Sequence, residues 1–128
     1  MTQFSIHDET NAPQGSRETL KQVRDKFGFV PNLFGELAES PAALEAYPTL
    51  EGLFEKTGLN AKERQVVLLS AAVANECHYC ASAHTKMAEH AGLEADAIKA
   101  LRNGEDLPDA KLNALSAFTR AVVDKRGW

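Results

Sequence analysis

The chain has 128 residues, 44% of them hydrophobic and 25% charged, with a formal net charge of −4. This globular composition removes intrinsic disorder, and the length suffices for one domain with a core that needs no disulfide or metal staple. The acidic balance, without any basic block, excludes a general nucleic-acid binder.

Residues 1 to 15 contain Pro13 and Gly15 and no helical period, so they predict an extended arm lying on the body or on a neighbouring subunit. Ser16 is a good N-cap for a helix with Leu20, Val23 and Phe27 at spacings of three and four, ended by Gly28. Leu33, Phe34 and Leu37 predict a short helix stopping before Ser40-Pro41. Pro41 suits the first turn of the next helix, whose apolar stripe is Leu44, Tyr47, Leu50 and Phe54. Pro48 lies inside that stripe and predicts a kink or a split near Glu45 to Tyr47. The aromatic residues Phe27, Phe29, Phe34, Tyr47 and Phe54 are expected in the core.

Asn60 with Glu63 three residues on forms a capping-box pattern opening a helix from Ala61 to about Ala74. That helix is nearly all apolar from Val66 to Val73, which predicts burial on most sides, in a core or between chains. After a break at Asn75 and Glu76 comes a helix to about His90, capped by Gly92. A shorter helix from Ala95 to Arg102 precedes Asn103-Gly104. Pro108-Asp109 starts the last, with Leu112, Leu115, Phe118 and Val122 in step. No alternating strand pattern is present, so the predicted class is all-α. No apolar run approaches the ~20 residues that cross a bilayer, and the segment from Met1 to Glu9 lacks the basic start and apolar centre of a secretory leader. The expectation is a cytoplasmic protein with no membrane partner.

The chemistry concentrates in Glu76-Cys77-His78-Tyr79-Cys80-Ala81-Ser82-Ala83-His84, which holds both cysteines and two of the four histidines. If the segment is helical from Cys77, steps of about 100° put Cys77, Cys80 and His84 within roughly 60° of one another. His84 lies four residues beyond Cys80, the spacing at which helical side chains meet. Two cysteines this close in a reducing compartment point to redox or metal chemistry rather than a structural clip. Inert buried thiols and a metal site remain as the other readings. Structural zinc, however, wants four ligands, and no second Cys/His pair exists. His78 and His90 read as surface residues, Tyr79 as a packing aromatic with its hydroxyl near the site, and Glu63 as a cap before a catalyst.

A C-x-x-C pair can also signal a thioredoxin fold, but that fold needs βαβ units. The chain resembles instead the alkylhydroperoxidase D-like, or carboxymuconolactone decarboxylase-like, superfamily, in its peroxidase-related branch. The resemblance rests on Glu63-Arg64-Gln65-Val66-Val67-Leu68-Leu69, Asn75-Glu76-Cys77-His78-Tyr79-Cys80 and Ala83-His84. Pro31-Asn32-Leu33-Phe34 and Ser40-Pro41-Ala42 extend it over most of the chain. It implies a helical bundle with the cysteine motif at the start of a central helix, in a homo-oligomer that is a trimer or a hexamer of paired chains. It also implies a thiol-dependent peroxidase or disulfide reductase without cofactor or metal, acting on a small peroxide and recharged by a dithiol electron donor. Cys77, Cys80 and His84 would be the catalytic set. The family places a proton-relay carboxylate twelve residues before the first cysteine; here that position is Gln65, leaving Glu63, Glu76 and Tyr79 as further candidates for relay or site lining. Longer members of the branch continue for several helices beyond Trp128. A decarboxylase or lactone-processing enzyme and a non-catalytic thiol or metal sensor are the alternative functions. Attack by Cys80 follows from the His84 spacing and the resemblance, whereas helix-end electrostatics alone favours Cys77.

Overall fold

The computed structural model describes residues 4–128, and every regular element among them is helical. Seven α-helices follow one another: α1 (Arg17–Phe27), α2 (Asn32–Leu37), α3 (Pro41–Glu55), α4 (Ala61–Ala74), α5 (His78–His90), α6 (Ala95–Asn103) and α7 (Ala110–Asp124). They divide into two compact units, Met1–Lys56 and Thr57–Trp128, each with its own apolar core.

In the first unit Leu20 and Val23 of α1, Phe34 of α2 and Leu44 of α3 are buried together. The described part of the arm lies along α2: the His7 amide donates to the Gly35 carbonyl at 3.0 Å, and the His7 ring pairs with Glu39 at 2.7 Å. Gly35 permits this approach, since a Cβ there would stand 2.7 Å from Ile6 and 2.8 Å from the His7 carbonyl. Residues 1–3 of the predicted arm lie outside the described residues. Ser16 precedes α1 as expected but does not cap it by its side chain. Its buried hydroxyl donates instead to the Ala38 carbonyl at 2.7 Å, a tertiary bond that competes with the local one.

Of the kink or split expected at Pro48, the split does not occur: α3 runs as one helix from Pro41 to Glu55. A proline removes only one amide donor, the one that would reach the Leu44 carbonyl, and the helix continues on either side of it. The apolar stripe is also only partly covered: Leu44 is buried, whereas Leu50 is 68% exposed. Likewise the aromatic group splits. Phe34 is buried and meets the rings of Phe27 and Tyr47 at 5.9 and 5.5 Å, but Phe29 is exposed.

The second unit is organised around α4, against which α5, α6 and α7 all pack. The capping box is present in full: the Glu63 amide donates to Asn60 Oδ1 at 3.0 Å, and the Asn60 amide donates to Glu63 Oε2 at 2.9 Å. Val66 and Leu69 are buried with Ala88 of α5, Ile98 and Leu101 of α6, and Leu93 and Leu107 of the connections. Burying a Leu or Val side chain contributes about 1.5–3 kcal/mol, so these residues hold the helices that carry the site.

The periodic stripe of α7 does not match its buried face. Leu112 and Leu115 pack partly against the core, but the helix is buried at Ser116 and Thr119, while Phe118 and Val122 are exposed. The small Ser116 lets α7 approach α4 closely, and the Ser70 hydroxyl donates to the Ser116 hydroxyl at 2.9 Å in a buried contact. Periodicity cannot distinguish a serine that replaces bulk with a hydrogen bond from one that faces water.

Candidate active site

The site is built where α4 ends and α5 begins. The Glu76 amide donates to the Val73 carbonyl at 3.0 Å and the Cys77 amide to the Ala72 carbonyl at 2.9 Å. These two bonds define a Schellman cap, whose intervening residue ordinarily is a left-handed glycine. Here it is Glu76, with φ of +53°. The cap reverses the chain so that Cys77 emerges next to the C-terminal turn of α4.

Cys77 is not the first helical residue, as a motif helical from Cys77 would require, but the N-cap of α5, with extended backbone at ψ of 92°. Its sulfur accepts the Cys80 amide at 3.3 Å, the part usually taken by a serine or aspartate oxygen. The two cysteines are joined as a disulfide, with Cα atoms 5.3 Å apart. The N-cap position makes this span natural, because the capping side chain already folds back over the first turn.

His84 follows Cys80 by one turn of α5 and is half-buried. Its Nδ1 lies 3.1 Å from Oε1 of Gln65, which projects from α4. An amide oxygen only accepts, so in this contact Nδ1 carries the proton and Nε2 keeps its lone pair. Burial pushes the His84 pKa below the ordinary histidine value, favouring the neutral imidazole. A neutral ring with a fixed tautomer can take one proton, which is what activation of a neighbouring thiol requires.

The other candidates divide. Gln65 is the site partner of His84. Glu63, two residues away on α4, is engaged elsewhere: one carboxylate oxygen closes the capping box and the other pairs with Lys111 of α7 at 2.5 Å. The Lys111 contact, followed by the Asn60 amide, holds the Glu63 pKa below its ordinary value. Glu76 lines a cleft of about 370 Å³ beside the disulfide, with Val73, Cys77, His78, Ala81 and Arg102. Tyr79 is exposed, as is His78, which nonetheless lines the cleft. Arg102 is the lining residue that sequence reasoning missed. It stands 22 residues beyond Cys80, on α6, and only its approach to α5, where it donates to the Thr85 hydroxyl at 3.3 Å, reveals it. Among the described residues no group of three or more His, Cys, Asp or Glu side chains is placed to hold a metal ion, and no helix is long and apolar enough to cross a membrane.

An all-helical chain with a cysteine pair bridged at a helix start, and a histidine one turn on, defines a helical protein equipped for thiol redox work. The comparisons place it further: residues 39–122 match the carboxymuconolactone decarboxylase family, and the chain belongs to that family. Among solved structures it is similar to an alkylhydroperoxidase AhpD core, described as an uncharacterised peroxidase-related protein, from Ralstonia eutropha JMP134. The TM-score is 0.69 at 24% sequence identity, over 97% of this chain and 65% of the other, so the likeness is one of fold and the chain spans just under two thirds of that protein. No curated protein sequence matches the chain.

Proposed function

We propose that the protein is a thiol-dependent peroxidase, with a disulfide-reductase half-reaction, working through Cys77, Cys80 and His84. The observation that carries this reading is the bridged pair at the start of α5, followed one turn later by a neutral histidine oriented by Gln65. In the reduced protein His84 takes the Cys80 proton. The thiolate attacks the peroxide, the O–O bond breaks, Cys80 becomes a sulfenic acid, and the departing alkoxide takes the proton held by His84. The Cys77 thiol then attacks the Cys80 sulfur, forming the disulfide and releasing water. A dithiol donor returns two electrons and two protons by exchange, entering at Cys77.

Helix-end charge and the Cys80 amide favour a thiolate on Cys77, while the histidine favours one on Cys80. Trapping of sulfenic acid with a dimedone-type reagent separates them. Under this reading the Cys77→Ser variant accumulates sulfenic acid at Cys80, and the Cys80→Ser variant neither forms it nor consumes peroxide. Sulfenic acid at Cys77 in Cys80→Ser alone would reverse the roles, and no thiol-dependent peroxide consumption with any of several dithiol donors would remove the reading.

The same reading includes a cytoplasmic, reducing location and a homo-oligomer, a trimer or hexamer. The exposed Phe118 and Val122, one turn apart on α7, support association because they offer apolar surface without cover. Light scattering across a dilution series tests it, with a stable monomer at micromolar concentration as the contrary result.

A further inference from the structure

We infer that the cleft beside Cys77 is the entry site of the electron donor, and that it is built for a small thiol bearing both an ammonium and a carboxylate group, as in a thiol-containing amino acid or short peptide. The inference rests on the redox reading above, with two such thiols, free or carried on one peptide, taking the part of the dithiol donor. Cys77 lines this cleft, so an exchange beginning there starts at the sulfur assigned to it. Val73 and Ala81 supply apolar wall, and two opposite charges reach the same space: the Glu76 carboxylate from the α4–α5 turn and the Arg102 guanidinium from α6.

These charges do not neutralise each other. Among the described residues neither Glu76 nor Arg102 takes part in an ion pair, and Arg102 is held by the Thr85 hydroxyl, itself anchored to the Ala81 carbonyl at 2.7 Å. A guanidinium oriented by a neutral hydroxyl keeps its remaining N–H donors for a carboxylate. Glu76 adds a second, independent observation: it occupies the left-handed cap position that glycine fills without strain. A side chain held there at a backbone cost, and facing the cleft, is placed to meet an ammonium group.

The chemistry balances without a further reactant. The donor thiolate attacks Cys77 Sγ, a mixed disulfide forms, and the Cys77–Cys80 bond breaks. Cys80 leaves with the electron pair and takes up the proton the donor lost. A second donor thiolate then attacks the donor sulfur of the mixed disulfide, freeing Cys77 as a thiol and releasing the oxidised donor. A peptide carrying two such thiols completes this second step within one molecule.

The test follows reduction of the oxidised full-length protein by four probes: glutathione, with both charges; 3-mercaptopropionate, with the carboxylate; cysteamine, with the ammonium; and 2-mercaptoethanol, with neither. Arg102→Gln should slow glutathione and 3-mercaptopropionate by about threefold, the range an exposed ion pair supplies, and Glu76→Gln should slow glutathione and cysteamine similarly. These changes are read relative to the rate with 2-mercaptoethanol, whose thiolate carries only the charge common to all four attacking species; that reference reaction also shows that fold and disulfide are intact, and the differences should fade at high salt. Oxidised glutathione should leave a mixed disulfide on Cys77 in the Cys80→Ser variant. Rates that shift equally for all four probes, or for none, overturn the assignment, as does the absence of the mixed disulfide. No peroxide enters these assays, so the charge pattern in a protein that consumes no peroxide would remove the peroxidase reading and leave the cleft standing.

Discussion

Replacing Gln65 with Glu tests the link between α4 and the thiol chemistry. The Gln65–His84 contact joins two neutral groups at 3.1 Å. A carboxylate in the same place would form a charge-assisted bond to the imidazolium, stronger than the neutral bond by about 1 kcal/mol, or roughly a fivefold gain in the proton affinity of His84. The pKa of His84, now held down by burial, should therefore rise. If His84 takes the Cys80 proton, the thiolate–imidazolium form of the reduced site grows by the same factor while it remains the minor form. Peroxide consumption then increases by up to about fivefold. Titrating the His84 ring protons by NMR in both proteins, beside stopped-flow peroxide consumption, separates the steps. An unmoved titration would mean that Gln65 does not touch His84 in solution, and a moved titration with no gain in rate would mean that His84 is not the base.

Three further outcomes follow from the fold. Truncating either partner of the buried Ser70–Ser116 pair to Ala should cost about 1–3 kcal/mol, by orphaning a hydroxyl, and the double variant should cost less than the sum, measured by urea unfolding in a double-mutant cycle. Glu76→Gly removes a side chain from the left-handed cap and should raise stability by about 1 kcal/mol, seen as a higher denaturation midpoint; a loss would mean that Glu76 makes a stabilising contact exceeding its strain. Stability should fall on acidification in two windows. His84 has a lowered folded pKa, so the unfolded chain binds its proton first and stability declines as pH drops below about 6.5. Glu63, also depressed, contributes above the ordinary glutamate value and loses its contribution as pH falls through its folded pKa. His7 runs the other way: the Glu39 hydrogen bond raises its pKa, so its contribution is present below about 6.5 and lost as pH rises through the folded value. Melting temperatures from pH 4 to 8 should show a shallower loss near pH 6 in His84→Asn than in the parent chain.

The local order of this protein is legible in its residues because it depends on interactions of short range. The capping box at Asn60 and Glu63, the left-handed stops at Gly28, Gly92 and Gly104, and the apolar run of α4 are all settled within one or two helical turns. So is the four-residue spacing that sets His84 one turn beyond Cys80, since both ride one helix. Choices between distant partners lay beyond that reach. Only packing decided that Ser16 bonds Ala38 rather than its own helix, that α7 buries Ser116 while leaving Phe118 exposed, and that α3 continues through Pro48. The site divides along the same line. Its thiols and histidine were written in one nine-residue stretch, and the turn that makes Cys77 a cap closes within residues 72–80, whereas the bond from Gln65 to His84 required α4 to pack on α5, and the arrival of Arg102 at the cleft beside Cys77 required α6 as well. A side chain's covalent neighbours fix its backbone preference, but its hydrogen-bond partner and its exposure belong to whichever surface the core brings against it.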